Sequence, residues 1–198
     1  MSTAADNLTA VILAGGKNLR FGGSDKAFML VDGIPMIKVL TGKVEGLFSE
    51  ILVATNSPEK YAELAGVVPV TDVFKGMGPL GGIHAAMKMA SNPGIFVVSC
   101  DMPFVDKDVI GAIARKYEKT PDADAVIPVL GGYTEPLHAI YRTSLAEYLE
   151  KYLASSPDLS VRNFISGLKA VYIDMPDTEN VRRSFTNINR PDDLPASG

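Results

Sequence analysis

A chain of 198 residues suits one ordinary domain, or two only if both are small. With 46% hydrophobic and 21% charged residues it can bury a large core, which excludes wholesale disorder. A net charge of −4 argues against a broad basic grip on nucleic acid but leaves room for a local basic pocket, and a single Cys excludes an intrachain disulfide framework.

One Cys and two His also argue against a structural zinc site. Residues 1–10 are polar and acidic and lack the basic start of a signal peptide. No apolar run approaches the roughly 20 residues of a membrane-spanning helix. The expectation is a soluble cytoplasmic protein.

In chain order, residues 9–14 (TAVILA) form an unbroken apolar run, as a strand covered on both faces would. Residues 15–26 are rich in Gly and charge and read as a loop. Residues 28–31 and 34–36 flank the turn dipeptide Asp32-Gly33. Ile37, Leu40, Val44 and Leu47 recur at helical spacing over 36–48. Residues 50–55 (EILVAT) predict a second buried strand. Ser57 and Pro58 then resemble a helix cap and first helical position, predicting a helix to about Leu64. A third strand is predicted at 67–71, a Gly-rich connection at 72–82 and a helix at 83–89. Residues 95–99 (IFVVS) predict a fourth buried strand, which runs directly into Cys100 and Asp101. Asp106 is placed to cap a helix carrying Val109, Ile110, Ile113, Ala114 and Tyr117 on one face. Residues 125–129 and 137–141 read as antiparallel partners around the turn Gly131-Gly132. Helices at 144–153 and 160–168, a strand at 170–174 and an irregular tail at 185–194 complete the reading.

Strands alternating with helices imply a mainly parallel sheet covered on both faces. Ligands then sit beyond the carboxyl ends of the strands, so the loops after Ala14, Thr55, Thr71 and Ser99 are expected on one rim. The first of these, from Leu13 through Gly15, Gly16, Arg20, Gly22, Gly23 and Asp25 to Lys26, offers backbone N–H groups and the positive charges of Arg20 and Lys26 to an anion. That suits a triphosphate, although a Gly-rich surface loop has the same composition. It is not a P-loop, because the Lys-Ser/Thr ending is missing. Gly76, Gly78 and Gly81 match a dinucleotide fingerprint in spacing only. They follow the third strand rather than the first, and Pro79 stiffens the turn, so they read as a tight connector or a pocket wall. Asp101 is placed either to bind Mg²⁺ held by phosphates or to cap a turn. Asp72 and Asn56 occupy matching points on the rim, with Asp25 and Glu135 as candidate helpers. His84, His138 and Cys100 read as packed core groups.

These residues resemble a known family. The stretch from Leu13-Ala14-Gly15-Gly16 through Arg20-Phe21-Gly22-Gly23-Ser24-Asp25-Lys26 is similar to the signature of nucleotidyltransferases that load the molybdenum cofactor, and more narrowly to the molybdenum cofactor guanylyltransferases. Asp72 with Gly78-Pro79-Leu80-Gly81-Gly82-Ile83, Cys100-Asp101-Met102-Pro103 and Phe185-Thr186-Asn187-Ile188-Asn189-Arg190-Pro191 agree with it in order, over residues 11 to about 194. Phe21, Gly81 and Arg190 depart from the commoner Met, Ala and Thr. The resemblance implies an α/β fold, a Rossmann-like three-layer sandwich with a mostly parallel sheet and a small antiparallel portion. One domain would cover 1–198, with a nucleotide-binding part at about 9–105 and an acceptor-binding part at about 106–194.

By position, Leu13, Ala14, Gly15, Gly16, Gly78, Pro79 and Leu80 would contact the nucleotide. Lys26 would bind its phosphates, Asn56 and Asp72 would hold the guanosine, and Asp101 would bind Mg²⁺. Asn187 and Asn189 would lie on the molybdopterin side. Arg20, Lys26 and Asp101 would carry catalysis, with a molybdopterin phosphate attacking the α-phosphorus of GTP and pyrophosphate leaving. The implied partners are GTP, molybdopterin, and proteins that deliver the pterin or receive the finished cofactor, with neither nucleic acid nor membrane. The rival readings are a transferase using CTP or a sugar phosphate, a nucleotide-dependent adaptor without turnover, and a nicotinamide oxidoreductase resting on the discounted fingerprint.

Overall fold

The computed structural model describes residues 5, 7–15, 26–74 and 76–193. Its elements in order are β1 (Leu8–Leu13), β2 (Leu30–Val31), β3 (Ile34–Pro35), α1 (Met36–Val44), β4 (Glu50–Thr55), β5 (Val68–Thr71), α2 (Pro79–Met89) and β6 (Gly94–Ser99). These are followed by α3 (Lys107–Glu118), β7 (Ala125–Leu130), β8 (Tyr133–Thr134), β9 (His138–Arg142), α4 (Ala146–Ser155), α5 (Val161–Ser166), β10 (Ala170–Asp174) and α6 (Glu179–Ser184).

The main sheet runs β10-β7-β9-β6-β1-β4-β5, with β8 paired to β7, while β2 and β3 form a separate hairpin. Strand β1 pairs in parallel with both β4 and β6, and β5 continues in parallel beyond β4. β9 is antiparallel to β6 and β7. The apolar runs of β1 and β6 arise because helices cover both faces. Alternate residues of β1 divide between two cores, with Ala10 and Ile12 packing on the side of α1 and α3, and Val11 and Leu13 on the side of α2, α4 and α5. The chain crosses from β5 by way of α2 to β6, on the other side of β1. At such a reversal of strand order an open parallel sheet leaves room for a ligand beyond the carboxyl ends of its strands.

Four local expectations are corrected. The predicted helix from Ser57 is only a 3-10 turn, Pro58–Lys60, and the Ser57 side chain caps nothing; its own N–H donates to Thr55 Oγ1 at 3.1 Å. α2 begins at Pro79, four residues before the expected start, so Gly81 and Gly82 are helical. α1 stops at Val44, before Gly46 turns left-handed with φ 76°. The short helix α6, capped by Thr178, precedes the tail; its burial through Val181 and Ser184 alone is too slight to make an apolar stripe. The turn at Asp32-Gly33 stands as read, with φ 50° and 78°, the left-handed pair a tight hairpin requires. Asp106 caps α3 by accepting from the N–H groups of Asp108 and Val109.

At the end of the sheet opposite these carboxyl ends, Glu50 accepts from Thr9 Oγ1 at 2.5 Å and from the backbone and side chain of Ser91 at 2.9 Å each. Burial alone would raise the Glu50 carboxyl, but these hydrogen bonds outweigh it and hold it below the usual carboxylate range. No helix among the described residues is long and apolar enough to cross a membrane.

His138 is wholly buried between the rings of Phe96 and Phe185, edge-on to both at 5.3 and 4.7 Å. Neither ring nitrogen has a hydrogen-bond partner among the described residues. Burial pushes its pKa down to about 3, so the ring stays neutral in the fold, while the unfolded chain takes up a proton below about 6.5. Its stabilising contribution is therefore complete above about pH 6.5 and falls as pH drops toward 3. Between pH 7.5 and 5.0 this amounts to about 2 kcal/mol. His138→Phe, which keeps a flat ring, is expected to lose that much less stability than wild type over the same pH interval in denaturant titrations. Equal losses in the two proteins would show that His138 is not neutral in the fold.

Candidate active site

Parallel pairing places the ends of β1, β4, β5 and β6 on one rim, as expected. The chain leaving β1 is pinned on both sides, since the Ala14 N–H donates to the Ala54 carbonyl at 2.9 Å and the Cys100 N–H to the Leu13 carbonyl at 3.0 Å. Beyond Gly15 the loop passes outside the described residues. The expectations for Gly16, Arg20 and Asp25 fall there. It returns at Lys26, anchored by the fully buried Ala27.

A cleft of about 470 Å³ opens between the ends of β1, β4 and β5 and the start of α2, large enough for a nucleoside. Among the described residues, Leu13, Gly15, Asn56, Asp72, Gly78 and Pro79 line it. Gly78 turns the chain into α2 with φ 62° and ψ −151°, a conformation reserved for glycine, and Pro79 then starts the helix with its φ preset. The fingerprint-like segment is therefore one wall of the cleft. Asp72 is only 7% exposed. Its Oδ1 accepts from the Phe74 N–H at 2.9 Å, and its carboxylate lies where a side chain on Gly81 would fall. Burial raises the Asp72 carboxyl above its ordinary range, against the pull of the Phe74 N–H and of His84. Leu80, by contrast, is wholly buried in the core.

A charged cluster stands where β6 ends. Lys26 Nζ donates to Asp101 Oδ2 at 2.8 Å and to Asn189 Oδ1 at 2.8 Å. The Ile188 N–H donates to the Asp101 carbonyl at 2.7 Å, which ties the carboxy-terminal segment to this rim. Asp101 Oδ1 is buried and has no hydrogen-bond partner among the described residues. No group of three or more His, Cys, Asp or Glu able to hold a metal occurs among those residues. Asn187 is exposed, and Glu135 is half-buried with its carboxyl raised by burial. His84 packs edge-on to Phe74 and lies 3.5 Å from the Glu150 carboxylate, on the outer side of α2.

Two features escaped the sequence reading. Gly82 packs against β1 and β4, where an added Cβ would lie 3.1 Å from Ala54 Cβ and 3.2 Å from Leu13 Cδ2. Asp193 Oδ2 accepts from the N–H groups of Asn189 and Arg190 at 2.7 and 2.8 Å. The only signal for the second was an Asp four residues after Asn189 in a Pro-containing turn.

The molybdopterin-guanine dinucleotide biosynthesis protein A of Archaeoglobus fulgidus superposes with a TM-score of 0.79 at 28% identity, covering 94% of this chain and 95% of that one. A 2-C-methyl-D-erythritol 4-phosphate cytidylyltransferase from Thermus thermophilus shares the fold at 17% identity, with a TM-score of 0.65 and 95% of each chain covered. The Lys26 ammonium and the Asp101 carboxylate beside a nucleoside-sized cleft, on this fold, mark the chain as a nucleotidyltransferase.

The description of the MobA-like NTP transferase domain matches residues 10–171, and the chain belongs to that family. A probable molybdenum cofactor guanylyltransferase of Clostridium perfringens is 33% identical over 189 residues, covering 93% of both chains. A molybdenum cofactor guanylyltransferase of Syntrophotalea carbinolica is 35% identical over 189 residues, covering 94% of this chain and 88% of the relative.

Because Gly82 seats α2 on two strands, Gly82→Val is expected to lift the helix and deform the cleft. The overpacking should cost about 1–3 kcal/mol. A lowered Tm with weakened nucleotide binding is the expected pair of results; an unchanged Tm would show that the helix can shift without strain.

Proposed function

We propose that the protein transfers the GMP moiety of GTP to the terminal phosphate of molybdopterin, releasing pyrophosphate and forming the guanine dinucleotide cofactor. The observation that carries this reading is the Lys26–Asp101 pair at the end of β6, one strand away from a nucleoside-sized cleft. The relatives named above for guanylyl transfer to the molybdenum cofactor support it.

In this mechanism Asn56 and Asp72 hold the guanosine within the cleft, walled by Gly78 and Pro79. Leu13, Ala14 and Gly15 form its floor, and Lys26, with Arg20 and Gly16 from the preceding loop, binds the phosphates. The attacking phosphate oxygen is already ionised near neutral pH, so no general base is needed. His138 is consistent with this, sealed in the core. The remaining task is to bring anions together in line. At 4 Å two unit charges repel by about 4 kcal/mol at an effective dielectric of 20. Lys26 offsets part of that repulsion and stabilises charge developing toward the pyrophosphate. Asn187 and Asn189 belong to the segment expected to meet the pterin.

The donor set fits Mg²⁺. Among the described residues Asp101 keeps one buried oxygen without a partner, and a single carboxylate completed by phosphate oxygens and water is a usual Mg²⁺ environment. When bound, the ion withdraws charge from the phosphates and favours attack at phosphorus. The buried Cys100 suits a reducing compartment such as the cytoplasm.

Incubation with molybdopterin, Mg²⁺ and each of the four nucleoside triphosphates is expected to yield pyrophosphate and a dinucleotide product with GTP. Product with CTP alone would replace guanylyl by cytidylyl transfer. Asp101→Ala should lower turnover at least about a hundredfold while the protein stays folded, the scale seen when a transition-state contact is removed. Lys26→Ala should weaken GTP affinity about tenfold or more, the loss of one charge-assisted hydrogen bond. Undiminished Mg²⁺-dependent transfer in the first variant would remove Asp101 from the mechanism, and unchanged affinity in the second would remove Lys26 from the phosphate site.

A further inference from the structure

The carboxy-terminal segment does more than approach the pterin side. We propose that Asn189 is a positioning residue for Lys26, held in turn by Asp193, and that the tail of the chain thereby aims the phosphate-binding cation. The inference rests on the reading of the cleft as a triphosphate site and extends it.

An ammonium has three N–H donors. Here one points to Asp101 Oδ2 and one to Asn189 Oδ1, both at 2.8 Å, which, among the described residues, leaves the third for a ligand. The two holders differ in charge. Asp101 also has a buried oxygen with no partner among the described residues, so it is the group another cation would compete for. If Asp101 were the sole holder, Lys26 would either collapse onto it or lose its place when that carboxylate turned elsewhere. The Asn189 amide oxygen holds the ammonium without adding a second negative charge, so it takes nothing further from the attraction of Lys26 for phosphate. A carboxylate in the same position would form a second ion pair and quench it.

The support behind Asn189 is specific. The fully buried Ile188 fits a small cluster with Val31 and Met36, and its N–H is fixed on the Asp101 carbonyl. Asp193 then gathers the N–H groups of Asn189 and Arg190 on one oxygen. Lys26 and Asn189 are 163 positions apart, and these contacts join the start of the nucleotide half to the end of the chain.

The test measures Mg²⁺-GTP affinity by calorimetry without acceptor, in a double-mutant cycle of Lys26→Ala and Asn189→Ala. Inorganic tripolyphosphate serves as a base-independent probe. Acylation of Lys26 in ligand-free protein, mapped by mass spectrometry, is the parallel readout. Asn189→Ala is expected to weaken binding of both ligands about tenfold, the scale of one hydrogen bond to a charged group, and to have no further effect once Lys26 is Ala. Lys26 should acylate several-fold faster when its cover is removed. Asp193→Ala should move both readouts in the same direction by less. An Asn189→Ala protein with wild-type affinity for both ligands and wild-type acylation would overturn the proposal, as would an equal loss in the Lys26→Ala background. Faster acylation in a protein whose wild type binds neither ligand would leave the positioning contact standing and remove the nucleotide reading instead.

Discussion

Everything at the site depends on β1 being hydrogen-bonded in parallel on both sides. Parallel neighbours put the ends of β1, β4 and β6 at one level, and the helices that such connections require cover both faces. The same connections change direction across β1, so α1 and α2 lie on opposite faces, and the start of α2 walls the cleft at the ends of β1, β4 and β5. The cleft is thus a product of topology first, and its residues are those that happen to follow each strand.

Within that frame, charge is arranged in two parts. The cleft at β4, β5 and α2 presents the buried Asp72 and the amide of Asn56, groups suited to a polar base or sugar. The end of β6 presents Lys26 and Asp101, suited to phosphates and a divalent ion. The glycine at Gly81 leaves room for the Asp72 carboxylate.

Much of this was legible in the residues. TAVILA, EILVAT and IFVVS announce buried parallel strands because both their faces must be apolar. Asp32-Gly33 announces its turn because few other dipeptides accept two left-handed residues. Ser57-Pro58 misled because a local start signal does not make a helix without an apolar face to bury, and only Tyr61 is buried in that stretch. α6 was missed for the converse reason, being too short and polar to show periodicity. In the site, strand-end positions and the family resemblance singled out Lys26, Asp72 and Asp101 individually. Spacing could not reveal the contacts of Lys26 with Asp101, 75 positions away, or with Asn189, because they are set by the assembled sheet.

Glu50 shows how the far end of the sheet shapes the near one. Its carboxylate gathers the foot of β1 through Thr9 and the approach to β6 through Ser91, while Glu50 itself begins β4. β1, β4 and the approach to β6 are therefore tied at a common hub some 20 Å from the opposite rim, the length of a six-residue strand at about 3.3 Å per residue. With that hub in place, the lateral gauge between the cleft and the Lys26–Asp101 pair is held partly by residues at the opposite end of the sheet.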